Sequence, residues 1–422
     1  MIIFFYFEQP VKVIQNEFGF TYEHKFEAIP PECKAKKQIP FDYVYFSTPS
    51  DFHTHMEAIK KQLGEEAMNL VKILDPPQVV EREEFPLHIG FYKNWDDVIH
   101  NCKEKTKGKK KMSVAMLNAM SNAMGDHLIG MQAFDYFQEK LCKEMDMEID
   151  FSFYQLNPYR VAPITRQSSG KFQHIYMLPN RLSRFIEHDA FVDLGTLLLR
   201  DNFGCQPMID FFFEALSIDP ATVPDERKRM KYKINPETSA NIDKVLNVAK
   251  SRGRPILLFH RTSTSPIRQL EQPRARKIIR EIIEKTDYQV ISADKLEYQN
   301  ARFMDLSRYS QTLDDFTAII SKVDALVTVD TSTYHFADSF SIPTVALFTT
   351  INPDYRIKYY PFTDGIMLEE EGGKLYGHHK CSKEEADARQ EIAYIEKKWD
   401  TLSVDTIIEK LEAMKKLKQE AS

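Results

Sequence analysis

The chain has 422 residues, long for one hydrophobic core and comfortable for two, because single cores stop growing near about 250 residues. Its 56 basic and 62 acidic residues leave a formal charge of −6, so no global positive field draws nucleic acid and any anion site must be local. Five cysteines, Cys33, Cys102, Cys142, Cys205 and Cys381, form no CxxC pair, which excludes a regular disulfide framework and suits free thiols in a reducing compartment.

In chain order, Met1 to Phe7 is apolar but lacks the basic flank and small-residue cleavage site of a signal peptide. Residues 1–108 mix short aromatic strands such as Tyr43 to Phe46 with helical pieces such as Met56 to Leu74, an α+β region that ends in the lysine run from Lys103 to Lys111. The His-x-His of His53 and His55 has no partner ligands nearby and reads as a surface loop. From there strands and helices alternate: Ser113 to Asn118 as strand, Asp126 to Cys142 as helix, Glu148 to Tyr154 and His174 to Leu178 as strands. Phe191 to Ile218 is broken by Asp193, Arg200, Asp201, Asp210 and Glu214, which excludes a membrane span there.

A second series begins at Pro255, with Ile256 to His260, Gln289 to Ala293, Ala325 to Val329 and Thr344 to Phe348 as buried parallel strands. Between them Ile278, Ile279, Ile282 and Ile283 mark one helical face, and Leu313, Phe316, Ile319, Ile320 and Val323 another. The pattern predicts an α/β chain of two Rossmann-like domains, 109–235 and 236–400, behind an N-terminal extension of 1–108. Gly377 to Cys381 holds two histidines and a cysteine without a partner pair, so no metal is expected. A basic amphipathic helix, 401–422, closes the chain; it packs on the body of the protein or makes a peripheral membrane contact through Lys410, Lys415, Lys416 and Lys418.

Two strand-to-helix turns could hold a ligand. At the first, Gly125 permits a tight turn or a close approach, and Asp126 stands at the helix start, where an ordinary N-cap is the plain alternative. His127 beside it reads as a helix-surface residue. At the second, the strand ending at Val329 runs through Asp330, Thr331 and Ser332 into a helix whose first N–H groups suit a phosphate, with His335 one turn on.

The early Gly-Asp, the Asp-Thr-x-x-x-His-x-Ala of Asp330 to Ala337 and the following Pro-x-Val-Ala-Leu-Phe of Pro343 to Phe348 resemble glycosyltransferase family 9, the lipopolysaccharide heptosyltransferases. The resemblance spans about 112–420 and is strongest over 312–361. It implies a GT-B fold of two facing Rossmann-like domains. It also implies an inverting, metal-independent transfer without cofactor from a nucleotide-diphosphate sugar, by resemblance ADP-heptose, to a glycan or glycolipid acceptor. By the same resemblance Asp126 is the general base, Gly125 and His127 lie in the acceptor-side loop, and Thr264, Arg268, Asp294, Gln311, Asp330, Thr331, Ser332 and His335 hold the donor. Asp294 would take the ribose hydroxyls, and Gln311 stands at the base contact in place of an apolar residue, which leaves the nucleotide open.

Departures from the family pattern are Ser332 for its glycine, Thr349-Thr350 for its Gly-Pro and Gln132 for a proline. They leave open a relative that glycosylates protein side chains or a capsule sugar with another donor, and a silent GT-B scaffold. A soluble cytoplasmic protein is expected, with residues 1–108 shaping acceptor choice.

Overall fold

The computed structural model describes residues 2–5, 14–15, 21–22, 44–46, 71–73, 85–118, 123–155, 158–168, 170–177, 180–194, 206–263, 268–349, 351–368 and 398–421. The chain divides into two compact units: 1–162 with 170–203 and 209–224, and 225–422 with 163–169 and 204–208.

In the first unit a short sheet forms from Ile2–Phe5, flanked in parallel by Val44–Phe46 and Val71–Ile73, with Asn180–Arg181 antiparallel to Val44–Phe46. This corrects the helix read over Met56 to Leu74: β-branched Val71 and Ile73 alternate about Lys72 and pair as a strand, while 56–70 lie outside the described residues.

The main sheet of this unit is wholly parallel. Its strands are β1 (Leu87–His88), β2 (Lys111–Asn118), β3 (Glu148–Gln155), β4 (His174–Met177) and β5 (Ala190–Asp193), in the spatial order β1-β5-β2-β3-β4. Helix α1 (Trp95–Lys105) is started by Asn94, whose side chain accepts from the Asp97 N–H, and carries Asp96 and Asp97 in its first turn. The lysine run therefore joins α1 to β2 inside this unit, and Lys111 itself pairs with Glu148 and Asp150 at the start of β3. Helix α2 (Met124–Met145) buries Leu128, Met131, Phe134, Phe137 and Leu141, and the Phe134 ring meets Phe153 of β3 edge-on with centroids 6.0 Å apart.

The second unit is built on six parallel strands: β6 (Ile256–His260), β7 (Gln289–Ser292), β8 (Phe303–Asp305), β9 (Ala325–Val329), β10 (Thr344–Phe348) and β11 (Thr363–Met367). Their order is β8-β7-β6-β9-β10-β11, so the chain builds outward from β6 to one edge, returns to β6, and builds outward again. This is the doubly wound 3-2-1-4-5-6 order. Five-residue β6, β9 and β10 are almost wholly buried, because helices cover both faces of such a sheet. The helices are α3 (Pro236–Lys250), α4 (Gln272–Lys285), α5 (Leu313–Ile320), α6 (Thr333–Ser339), α7 (Asp354–Ile357) and α8 (Val404–Glu420). Ile278, Ile279, Ile282 and Ile283 of α4 pack with Leu257, Val290, Val327 and Val345 of the sheet and with Ile407 and Leu411 of α8.

The apolar face of α8 is thus spent on the core. Val404, Ile407, Leu411 and Met414 are buried, Lys410 pairs with Asp364, and Lys415 pairs with Glu412. Of the two readings of this helix, packing on the body of the protein is the one the structure carries. Among the described residues no helix is long and apolar enough to cross a membrane.

Candidate functional site

In an open doubly wound sheet the crevice for ligands opens where the winding reverses, outside the carboxyl ends of the two strands that flank the reversal. In the second unit these are β6 and β9, paired in parallel with His260 opposite Thr328. Their exits are the loop from Arg261, which carries Thr264 and Arg268, and the turn Asp330-Thr331-Ser332, one of the two turns singled out by sequence.

Side chains from both exits meet. Asp330 is 2 % exposed, and its Oδ2 lies 3.3 Å from Arg268 Nη1, while its Oδ1 accepts from the Tyr334 hydroxyl at 2.8 Å. The Ser263 hydroxyl donates to the Asp330 carbonyl at 3.2 Å, a second tie between the loops. The Arg268 guanidinium therefore stands beside the turn that opens α6, held by a carboxylate that is itself held by a phenol. A fixed guanidinium next to a helix start is a place for a phosphate, since both offer N–H donors and positive charge.

The other donor-side residues have specific surroundings. Thr331 and Ser332 are half-buried on the turn. Ser332 has φ −56° and ψ −17°, ordinary right-handed backbone, so a serine here needs no left-handed conformation and its replacement of a glycine is sterically free. Asp294 follows β7 and pairs with Arg261 at 2.8 Å; burial pushes its carboxyl up while the guanidinium opposes the rise. Gln311 is exposed, and its amide donates to the Ser307 carbonyl at 2.6 Å just ahead of Thr312, which forms a capping box with Asp315 at the start of α5. Thr264 lies outside the described residues, as do His53, His55 and Gly377 to Cys381. Among the described residues no group of three or more His, Cys, Asp and Glu side chains is placed to hold a metal ion.

His335 sits differently from the sequence reading. It is 3 % exposed, its Nδ1 is 2.6 Å from the Tyr360 hydroxyl, and burial drives its pKa down to about 3. The ring packs α6 against the chain after α7, as a neutral imidazole.

In the first unit, Gly125, Asp126 and His127 lie inside the first turn of α2 rather than in a loop. Asp126 is the third residue of that helix and half-buried, favourably placed for an anion against the helix dipole. His127 is not on the helix surface: it is 1 % exposed, meets the Phe153 ring at 5.7 Å, and burial lowers its pKa to about 3. The period of 3.6 carries it onto the sheet-facing side, where an apolar residue would ordinarily stand.

Tyr334, Arg261 and His260 were not assigned from sequence. Tyr334 lies between Thr333 and His335 and is buried in α6, and only the fold brings its hydroxyl to Asp330.

Residues 223–384, which contain the whole of the reversal point, match the family model "Glycosyltransferase family 9 (heptosyltransferase)". Over this segment, under half of the chain, the sequence is similar to glycosyltransferase family 9. With it the chain is an enzyme of the glycosyltransferase type. No curated protein sequence matches. Among solved structures, the ADP-heptose lipopolysaccharide heptosyltransferase II of E. coli is 13 % identical with a TM-score of 0.51, the match covering 74 % of this chain and 100 % of that one. The family 9 glycosyltransferase of Veillonella parvula is 13 % identical with a TM-score of 0.48, covering 72 % and 97 %, and E. coli heptosyltransferase WaaC with ADP is 12 % identical with a TM-score of 0.41, covering 67 % and 100 %. The first likeness carries the fold: α/β with two parallel-sheet units, of the GT-B class.

Proposed function

We propose that this family 9 glycosyltransferase moves a sugar, by family a heptose, from a nucleotide-diphosphate donor to a hydroxyl of a lipopolysaccharide core or another surface glycan. The observation that carries the reading is the reversal point of the second unit: a guanidinium and a helix start converge there, on a segment that matches the family. In this reading Arg268, with Thr264, Thr331 and Ser332, stabilises the charge that grows on the leaving diphosphate. Asp294 and Gln311 face the nucleoside, and the buried Asp330 and His335 hold the turn.

The transfer is a single inverting displacement. The acceptor hydroxyl attacks the anomeric carbon, its proton passes to the Asp126 carboxylate, and the bond to the diphosphate oxygen breaks with its electron pair on the leaving group. No metal is called on in this scheme, since the N–H donors and Arg268 bear the leaving charge.

The test begins with thermal stabilisation of the purified protein by ADP, UDP, GDP and CMP and their sugar conjugates. A ligand at about a hundred times its dissociation constant adds roughly 2.7 kcal/mol of stability, which is seen as a raised Tm. Selective stabilisation by ADP and ADP-heptose is the expected result; preference for another nucleotide discards the heptose, and no response to any discards the transferase. The Asp126→Asn variant should then keep donor affinity and lose turnover by about 100-fold or more. Transfer at the normal rate removes Asp126 as the base.

A further inference from the structure

The last residue of β6 reaches both sides of the reversal point. The half-buried His260 ring has Nε2 3.1 Å from Thr262 Oγ1, in the loop that follows β6, and Nδ1 2.9 Å from Thr333 Oγ1, the first residue of α6. Nδ1 also lies 3.4 Å from Thr328 Oγ1, and Phe316 of α5 covers the ring with centroids 5.1 Å apart. Thr333 is fully buried, so its hydroxyl serves the protein interior rather than a ligand.

The chemistry of the ring assigns the direction of these bonds. Burial, with Arg261 adding positive charge nearby, lowers the pKa of His260 to about 4, so above pH 5 the imidazole is neutral and has one donor and one acceptor nitrogen. The Thr328 hydroxyl already donates to the Val329 carbonyl at 3.1 Å, leaving only its oxygen to face Nδ1. Nδ1 is then the N–H, donating towards Thr333 and Thr328, and Nε2 accepts from the Thr262 hydroxyl. Thr262 opens the segment that carries Ser263 and Arg268, and Thr333 directly follows the turn Asp330 to Ser332.

We propose that His260 is a positioning residue for the donor site: its neutral imidazole ties the loop after β6 to the first turn of α6 and sets the spacing at which Arg268 and the α6 turn grip a donor diphosphate. This rests on the nucleotide-sugar reading above, and it assigns His260 a role exercised through the residues it ties rather than through the donor itself. Loss of both ties should weaken nucleotide binding by about tenfold, which is about 1.4 kcal/mol.

Three variants of the full chain separate the possibilities. His260→Ala removes both ties. His260→Asn puts an amide N–H near the Nδ1 position and keeps the tie to Thr333, whereas His260→Gln reaches towards the Nε2 position and keeps the tie to Thr262. Hydrogen exchange of the ligand-free proteins should show faster exchange in His260→Ala at both 261–271 and 330–336, and in His260→Asn chiefly at 261–271. Unchanged exchange at either segment of His260→Ala overturns the tie, whatever the protein binds. Calorimetry with ADP, UDP and GDP then reads the consequence: affinity for the nucleotide that binds the wild type falls about tenfold in His260→Ala, with partial rescue by Asn or Gln, and donor KM rises more than kcat falls. Unaltered affinity overturns the positioning role. If the wild type binds none of the three, the nucleotide-sugar reading itself fails, and the role in donor binding fails with it even where the exchange result stands.

Discussion

Asp330 and Arg268 form an ion pair across the reversal point, and its value depends on burial. With Asp330 almost sealed from water, Arg268→Ala takes a cation away from a buried carboxylate, a change that costs about 3–5 kcal/mol where it has been measured in other proteins. Arg268→Ala should therefore lose both stability and donor affinity. The double variant Arg268→Ala with Asp330→Asn, which removes the charge along with its partner, should regain most of the stability but none of the affinity. Urea denaturation and nucleotide calorimetry on the two proteins check this; a double variant as unstable as the single one would mean that Arg268 is not what neutralises Asp330. The same residues show how far a sequence can be read. Asp330 was singled out by its place at a strand exit that opens a helix, and Arg268 by the resemblance to family 9. Tyr334 and His260 were not, since a phenol four residues from Asp330 and a histidine 73 residues from Thr333 acquire their roles only when the sheet brings them together.

At the scale of elements, α4 is an amphipathic helix whose sequence and environment agree. Pro273 sits in the first turn, the isoleucines fall on one face, and Lys285 closes the last turn. Ile279→Ala should cost about 2–5 kcal/mol, because the buried side chain leaves a cavity among Leu257, Val327 and Ile282, whereas Arg280→Ala on the exposed face should stay within about 0.5 kcal/mol. Chemical denaturation of both measures the difference, and equal losses would contradict the packing. The central strands were legible to the residue, with β6, β9 and β10 matching their expected spans, because strands buried on both faces read as unbroken apolar runs. The outer strands β8 and β11 were missed. Phe-Met-Asp and Thr-Asp-Gly-Ile-Met are short and half-exposed, and edge strands carry no such run. The strand Val71–Ile73 was lost in a run of helix-forming residues, where local propensity outweighed three residues of β character.

At the scale of the molecule, four histidines among the described residues share one unusual condition: burial holds His127 and His335 at about 3 and His188 and His260 at about 4, all far below the ordinary 6.5. In the unfolded chain each takes up a proton near pH 6.5, so between there and about pH 4 the unfolded state binds up to four protons that the folded state refuses. Stability from this source is complete above pH 6.5 and is lost as the pH falls. Asp338 works the other way. Burial raises its carboxyl to about 7 despite Arg229 at 3.2 Å, so below that pH the folded state holds a proton that the unfolded carboxyl gives up down to about 3.8, and its contribution is lost as the pH rises. Four histidines against Asp338, with the raised Asp294 acting in the same direction as Asp338, leave at most about three protons, a slope of no more than about 4 kcal/mol per pH unit in the steepest region. For proteins of about 5–15 kcal/mol total stability that is decisive. Scanning calorimetry should find Tm nearly level from pH 7 to 8.5 and falling steeply below pH 6.5, and His127→Leu should flatten the fall by about one proton's worth. A Tm that stays level down to pH 5 would mean that these imidazoles are not held neutral, and with that result the directional hydrogen bonding assigned to His260 would lose its basis.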